Sequence, residues 1–100
     1  MDLASRKKGK LLTASGINAL NSETTEQISS LLSEKNPAKG TVVELDLSES
    51  GEITASGIAG LLRLYDSMQK IGVQIQVSSI SKNLASVFRL LRLTRFFDIR

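Results

Sequence analysis

The chain has 100 residues, of which 41% are apolar, and its 13 basic and 10 acidic side chains give a net charge of +3. That length suits one domain, and we expect residues 1–100 to form it. No run of ~18 apolar residues exists, which excludes a membrane-spanning helix, and the absence of cysteine excludes disulfides and thiolate metal sites. Histidine, the usual general base near neutral pH, is also absent. The composition therefore argues against an enzyme and predicts neither a cofactor nor a metal site.

The charge distribution also bears on location and partners. The charged N-terminal residues have no apolar stretch behind them, so no secretory signal is predicted, and the lack of cysteine favours the cytoplasm without membrane insertion. Basic residues gather towards the two ends of the sequence, where such clusters can bind nucleic acid or anionic lipid. The four aromatic residues do not alternate with them as in a stacking platform. A solvated surface is the favoured interpretation, and we expect no direct nucleic-acid partner and a monomer.

The first elements in chain order are a strand and a helix. Residues 10–14 read as a short strand, with residues 1–6 as a candidate for another strand before it. The pattern then becomes helical, and Thr24 with Gln27 fits a capping box at the start of that helix. The sequence Asn-Pro-Ala-Lys-Gly predicts where the helix ends.

The next elements are two strands on either side of a second helix. Residues 41–47 combine β-branched and apolar residues with alternating carboxylates, which predicts the central strand. The second helix follows Ser56, which we place at its N-cap, and Gly72 stands where a left-handed residue would close it. Residues 73–77 alternate strictly between apolar and polar, which indicates a strand with one buried face.

A third helix and a short apolar tail complete the chain. Ser81 is the predicted cap of this helix, and residues 93–99 form the tail. The apolar stripe of the third helix consists of Leu84, Val87, Phe88 and Leu91. Strands and helices thus alternate, with crossovers long enough for parallel pairing. We predict an α/β fold with a mostly parallel central sheet and the helices on one face.

Ser56 is the first candidate functional residue, at the junction of a loop and a helix. Exposed N–H groups and the positive end of the helix dipole favour an anion there, and Gly57 leaves room beside it. A phosphate on Ser56 would add a charge of roughly −1.5 to −2. A plain N-cap worth ~1 kcal/mol explains the same position, and the residues alone leave both interpretations open.

Asp46 is the second candidate, near the carboxyl end of the central strand, where open α/β sheets place their sites. It could contact a partner kinase or a metal-nucleotide, or it could be a capping carboxylate. Asp46, Glu49 and Glu52 could together bind a hard cation, but their spacing matches no calcium-binding loop. No glycine-rich phosphate loop is present. The sequence Thr-Ala-Ser-Gly-Ile occurs at both 13–17 and 54–58, which we interpret as coincidence.

Two segments together resemble a known family. Residues 41–48, Thr-Val-Val-Glu-Leu-Asp-Leu-Ser, and residues 53–62, Ile-Thr-Ala-Ser-Gly-Ile-Ala-Gly-Leu-Leu, are similar to the core signature of the STAS domain. Its stand-alone members most like this chain are the bacterial anti-sigma factor antagonists, or anti-anti-sigma factors. The similarity continues through residues 72–77 and 90–99, so it covers residues 10–99.

The resemblance implies a partner switch without catalysis. In the family, the serine before the motif glycine is phosphorylated, which corresponds to Ser56. The unphosphorylated protein binds a GHKL-type serine kinase that serves as an anti-sigma factor, and a PP2C-type phosphatase reverses the phosphorylation. The expected output is control of a sigma factor, and thus of transcription, or of secretion or biofilm formation. The expected partner-binding residues are Asp46, Ser48, Thr54, Ser56, Gly57 and Ile58.

Three positions depart from the family pattern and keep other functions open. Thr54 stands where the motif opens with Asp, Ala55 replaces a Ser or Thr, and Glu52 replaces an apolar residue. The alternative is a constitutive STAS subunit of an ABC-type lipid transport complex, with Thr54 and Ser56 facing an ATPase subunit. A nucleotide-binding protein that uses Asp46 and Ser56 is disfavoured, because the sequence has neither histidine nor a phosphate loop.

Overall fold

A computed structural model describes residues 4–99 of the chain. Strands and helices alternate through the chain, as the sequence predicts. The elements are β1 (Ala4–Lys8), β2 (Leu11–Ser15), α1 (Ser22–Lys35), β3 (Val42–Leu47), α2 (Ala55–Lys70), β4 (Gln74–Ile80), α3 (Lys82–Leu90), a 3₁₀ turn (Leu93–Arg95) and β5 (Asp98–Ile99). The predicted α/β class is confirmed. The boundaries differ by a few residues, since β1 extends past residue 6 and β4 runs three residues beyond its predicted end.

The five strands form one sheet in the order β1-β2-β3-β4-β5. β1 pairs with β2 in antiparallel orientation, and the other three pairings are parallel. In the central register Leu12 lies opposite Val43, which lies opposite Ile75. The sheet is therefore mostly parallel, as predicted, with the antiparallel β1 at one edge.

The core lies on one face of this sheet. Along β3, Val43, Leu45 and Leu47 are buried, whereas the residues between them are half-buried. The inward-facing side chains of β2, β3 and β4 share one apolar cluster with buried residues of all three helices, including Ile28, Leu61 and Phe88. The helices thus cover one face, as predicted. No helix among residues 4–99 is long and apolar enough to cross a membrane.

The start of α1 corrects the predicted capping box. Asn21 is the N-cap: its side chain accepts a hydrogen bond from the Thr24 N–H at 2.9 Å, and Thr24 Oγ1 accepts one from the Asn21 N–H at 3.0 Å. The box predicted from Thr24 and Gln27 is wrong by one turn, because Asn21 already supplies the acceptor that a helix start requires. The helix ends at Asn36, in the left-handed region at φ 48°, directly before Pro37.

The later helix boundaries agree better with the sequence. Gly72 has φ +76°, as predicted for the residue that closes α2. Ser81 caps α3 by accepting a hydrogen bond from the Leu84 N–H at 3.4 Å. Leu91 is the exception: the stripe predicts it to be buried, but α3 ends at Leu90 and the side chain of Leu91 is exposed.

Candidate functional site

The candidate site lies at the carboxyl end of the parallel strands, where the connections after β2 and β3 are joined by backbone hydrogen bonds. The Leu20 N–H donates to the Glu52 carbonyl at 2.8 Å, and the Thr54 N–H donates back to the Leu20 carbonyl at 2.9 Å. The Gly51 N–H donates to the Asn18 carbonyl at 3.1 Å. Because the partners lie more than 30 residues apart in the chain, these bonds fix the start of α2 relative to the sheet.

Ser50 extends this network and was not singled out by the sequence. Its fully buried hydroxyl donates to the Ile17 carbonyl, and its carbonyl accepts a hydrogen bond from Ser81 Oγ at 2.6 Å. The Ser81 N–H donates to the Leu47 carbonyl at 3.1 Å. The connections after β2, β3 and β4 are therefore linked through one serine. In the sequence Ser50 is one of several polar residues in a loop, so nothing marked it as buried.

Thr54, and not Ser56, is the N-cap of α2. Thr54 has an extended backbone, with φ −113° and ψ 162°, and its Oγ1 accepts a hydrogen bond from the Gly57 N–H at 3.0 Å. The prediction that placed Ser56 at the cap is wrong, because the bond from the Thr54 N–H to Leu20 holds Thr54 outside the helix. Ser56 is the second helical residue, and it is exposed.

The Ser56 hydroxyl lies where a negative charge is favoured. Ser56 Oγ is 3.1 Å from Thr54 Oγ1, so the two hydroxyls share a hydrogen bond. The N–H groups of Ala55 and Ser56 belong to the first turn and have no helical carbonyl before them to accept their hydrogen bonds. That turn contains no acidic residue. An anion attached to Ser56 would therefore meet free N–H donors and the positive end of the helix dipole, with no acidic residue in the same turn.

Gly57 is required by packing. It is buried, and a Cβ atom at this position would lie 2.2 Å from the carbonyl oxygen of Leu20. This close approach lets the first turn of α2 lie against the connection that follows β2. Ile58, the next residue, is half-buried and packs against the core. The motif glycine thus determines how closely the first turn of α2, which carries Ser56, approaches this connection.

Asp46 and Ser48 form a separate local unit. Asp46 Oδ1 accepts hydrogen bonds from the Ser48 N–H at 3.0 Å and from Ser48 Oγ at 2.6 Å. This turn ends β3, so the geometry agrees with a capping carboxylate. No hydrogen bond joins either residue to Ser56 in the part of the chain that the structure describes. Asp46 also borders a shallow groove on the open face of the sheet, beside Arg6 and Thr13.

The acidic residues near this edge do not form a cation site. Within residues 4–99, no group of three or more carboxylates is arranged so that it could hold a metal ion, and Asp46, Glu49 and Glu52 form no such group. Glu49 and Glu52 are exposed in the loop before α2. They add acidic side chains to the end of the sheet at which α2 begins.

Comparisons with known proteins agree with the fold. The family model described as "Mlab, STAS domain" matches residues 2–99. A solved structure from Thermotoga maritima, described as a candidate anti-sigma factor antagonist, is 16% identical, with a TM-score of 0.78. The alignment covers 97% of this chain and 84% of that chain. At this identity the likeness concerns the fold alone. A search of curated proteins gave no match.

Proposed function

The chain belongs to the STAS domain family, and from this premise we propose that it is a regulatory binding protein controlled by phosphorylation of Ser56. Its partner would be a GHKL-type serine kinase of the anti-sigma type, which binds the unphosphorylated form, and a PP2C-type phosphatase would restore that form. The observation that carries the proposal is the exposed Ser56 hydroxyl in the first turn of α2. The contact surface comprises this turn and the loop that ends in Thr54.

A phosphate at this position would change the surface and leave the fold intact. Ser56 faces solvent, so its modification displaces no core residue, and the free N–H groups of the first turn favour the added charge. Glu49 and Glu52 already make this end negative, and a phosphate of roughly −1.5 to −2 charge would strengthen that field. A partner fitted to the neutral hydroxyl would then meet an unpaired dianion, which strongly opposes binding.

The test compares substitutions at Ser56 with matched substitutions at Ser22. Both serines are exposed in the first turn of a helix at the same end of the sheet. Ser56→Asp should weaken binding to the kinase at least tenfold, measured by titration calorimetry, whereas Ser56→Ala and Ser22→Asp should bind like the unmodified protein. Equal affinity of Ser56→Asp and Ser56→Ala would rule the switch out.

Modification in the native host is tested separately. Intact mass spectrometry of protein from the host should show a species heavier by one phosphate, with the phosphate mapped to Ser56. That species should be absent from a Ser56→Ala strain. A phosphate that maps to another serine would contradict the proposal.

A constitutive subunit of an ABC-type lipid transport complex is the second candidate. One observation favours it: Thr54 stands where the antagonist motif has Asp. In that case α2 would contact an ATPase subunit irrespective of modification. Ser56→Asp and Ser56→Ala would then bind that subunit with equal affinity, and protein from the host would be unmodified under all growth conditions.

A further inference from the structure

The opposite end of the sheet forms a second continuous surface. Here the β1–β2 turn and the connections that lead into β3, β4 and β5 meet: the Val42 N–H donates to the Lys10 carbonyl at 2.7 Å, and the Gly40 N–H donates to the Gly72 carbonyl at 2.9 Å. Phe96 lies beside Gly72 in a shallow groove. We name this surface the amino-end face, and it comprises residues 8–11, 34–41, 70–74 and 89–96.

The charge of this face is strongly positive. Its only acidic residue is Glu34, and all of its charged residues are exposed. Its basic residues are Lys8, Lys10, Lys35, Lys39, Lys70, Arg89, Arg92 and Arg95. The carboxyl end, which holds the Ser56 site, has the opposite sign. Its charged residues are Glu23, Asp46, Glu49, Glu52 and Lys82, with Arg6 beside Asp46. The molecule therefore has an acidic end and a basic end.

The same face holds every exposed large apolar side chain within the part of the chain that the structure describes. These residues are Leu11, Ile71, Leu90, Leu91 and Phe96. Leu90 is 81% exposed, so its side chain projects into solvent. Exposed apolar residues that are scattered singly need no explanation, but their concentration on one face marks an interaction surface.

Local structure explains only part of this composition. Lys35, Lys70 and Arg89 lie in the last turns of their helices, where cations offset the negative end of the helix dipole. Lys70 also pairs with Asp66 at 3.2 Å. Arg92 and Arg95 follow α3 and form no ion pair with any residue in the range 4–99. Neither helix capping nor ion pairing accounts for the projecting leucines.

We propose that the amino-end face binds the surface of an anionic lipid bilayer. The leucines at the end of α3 and Phe96 would enter the headgroup region, and the surrounding arginines and lysines would contact lipid phosphates. A bilayer fits better than an acidic protein segment, because the apolar and basic residues come from four separate connections and spread over a whole end of the molecule. The groove beside Phe96 occupies only part of it. Binding in this orientation leaves Ser56 facing away from the membrane.

Vesicle flotation of the full chain tests the charge component. The protein should float with vesicles that contain phosphatidylglycerol and not with pure phosphatidylcholine. The triple variant Arg89→Gln, Arg92→Asn, Arg95→Gln should lower the partition coefficient on the order of 100-fold, with Asn chosen because Arg92 has φ +57°. The double variant Arg63→Gln, Lys82→Gln removes exposed charges outside the face and should bind like the unmodified protein.

The apolar component needs its own variant. Leu90→Ser is fully compatible with the fold, because the side chain is already exposed, and it should weaken vesicle binding several-fold at constant charge. The proposal would be overturned if Leu90→Ser bound vesicles as well as the unmodified protein. It would also be overturned if the Arg63/Lys82 control lost as much vesicle binding as the triple arginine variant, because either result would show general charge attraction only. Failure to bind anionic vesicles at low salt, with binding of an acidic amphipathic peptide instead, would assign the face to a protein partner and also overturn it.

Discussion

Residues 13–17 and residues 54–58 have the same sequence, Thr-Ala-Ser-Gly-Ile, and fold differently. In the first segment the chain completes β2, and Gly16 then turns it away at φ +76°. In the second, the threonine caps α2 and the alanine begins the helix. The two segments lie at the same end of the sheet, where hydrogen bonds join the connections beside them. Identical residues in neighbouring positions therefore have different structures and exposures.

The flanking residues decide between the two structures. In and directly before the first segment, Leu12 and Ala14 are both buried, and this spacing of two residues is the periodicity of a strand. After the second, Gly60, Leu61 and Leu64 are buried, which is the periodicity of a helix. As a result the serine of the first segment is half-buried in a strand, whereas Ser56 is exposed at a helix start. A candidate modification site is thus defined by the structure that its flanking residues form and not by the five-residue sequence itself.

The largest expected effect is at the glycine of the second segment. Gly57→Ala would place Cβ 2.2 Å from the Leu20 carbonyl, so we expect a loss of about 3 kcal/mol in the free energy of unfolding, measured with urea. Gly51→Ala is the matched control, since a Cβ atom there would have nothing within 4 Å. Equal stability of the two variants would show that the connections do not pack as closely as described.

The glycine of the first segment should matter for a different reason. Gly16→Ala forces a side chain into the left-handed region, at a cost of roughly 1–2 kcal/mol in unfolding free energy. Asparagine tolerates this region better, so Gly16→Asn should recover part of the loss. If Gly16→Asn were as unstable as Gly16→Ala, steric contact and not backbone conformation would be the cause.

The two threonines should differ because only one is a cap. Thr54→Ala removes the acceptor for the Gly57 N–H and should cost about 1 kcal/mol in thermal or urea unfolding. Thr54→Asp restores the residue of the antagonist motif and keeps a capping oxygen, so its stability should lie within about 0.5 kcal/mol of the original. Thr13→Ala is the matched control for the unfolding measurement, because Thr13 lies within β2 and caps no helix. A Thr54→Asp variant as unstable as Thr54→Ala would contradict the capping role.

The smallest effect is expected at the alanine of the second segment. Ala55 is exposed in the first turn of α2, so Ala55→Ser, which restores a hydroxyl of the antagonist motif, should change the unfolding free energy by less than about 0.5 kcal/mol. A larger loss, measured by the same urea titration, would mean that residue 55 packs against structure in the folded protein.

The sequence predicted the layout of the fold because that layout depends on periodicity. The alternation in β3 set its buried face, and Gly72 marked the end of α2. In β4 the predicted single buried face is wrong at Gln76, which is buried between the buried residues Ile75 and Val77. The prediction was least accurate where a local rule had two equal candidates. Thr54 and Ser56 are both good capping residues, and the choice was made by a hydrogen bond to Leu20, which lies far away in the chain.

The candidate site was predicted only in part. The sequence singled out Ser56 and placed it correctly at a helix start, although at the N-cap and not at its actual place as the second helical residue. It did not predict the buried hydroxyl of Ser50, which holds the connections together, because burial of one serine in a polar loop leaves no local pattern. It also placed Leu91 in the core stripe, because periodicity alone does not show that α3 ends one residue earlier.

The strand order has a consequence for synthesis and folding. Each strand pairs only with the strands directly before and after it in the chain. A growing polypeptide can therefore add β3 to a finished β1–β2 hairpin, and then β4 to β3, without waiting for any later segment. Each parallel pairing still joins residues far apart in the chain, such as Leu11 with Val42 and Val42 with Gln74, so a helical crossover must be placed before the next strand can pair. We therefore expect slower folding than for a helical bundle of this size, with the edge of β2 or β3 unpaired until the next strand arrives.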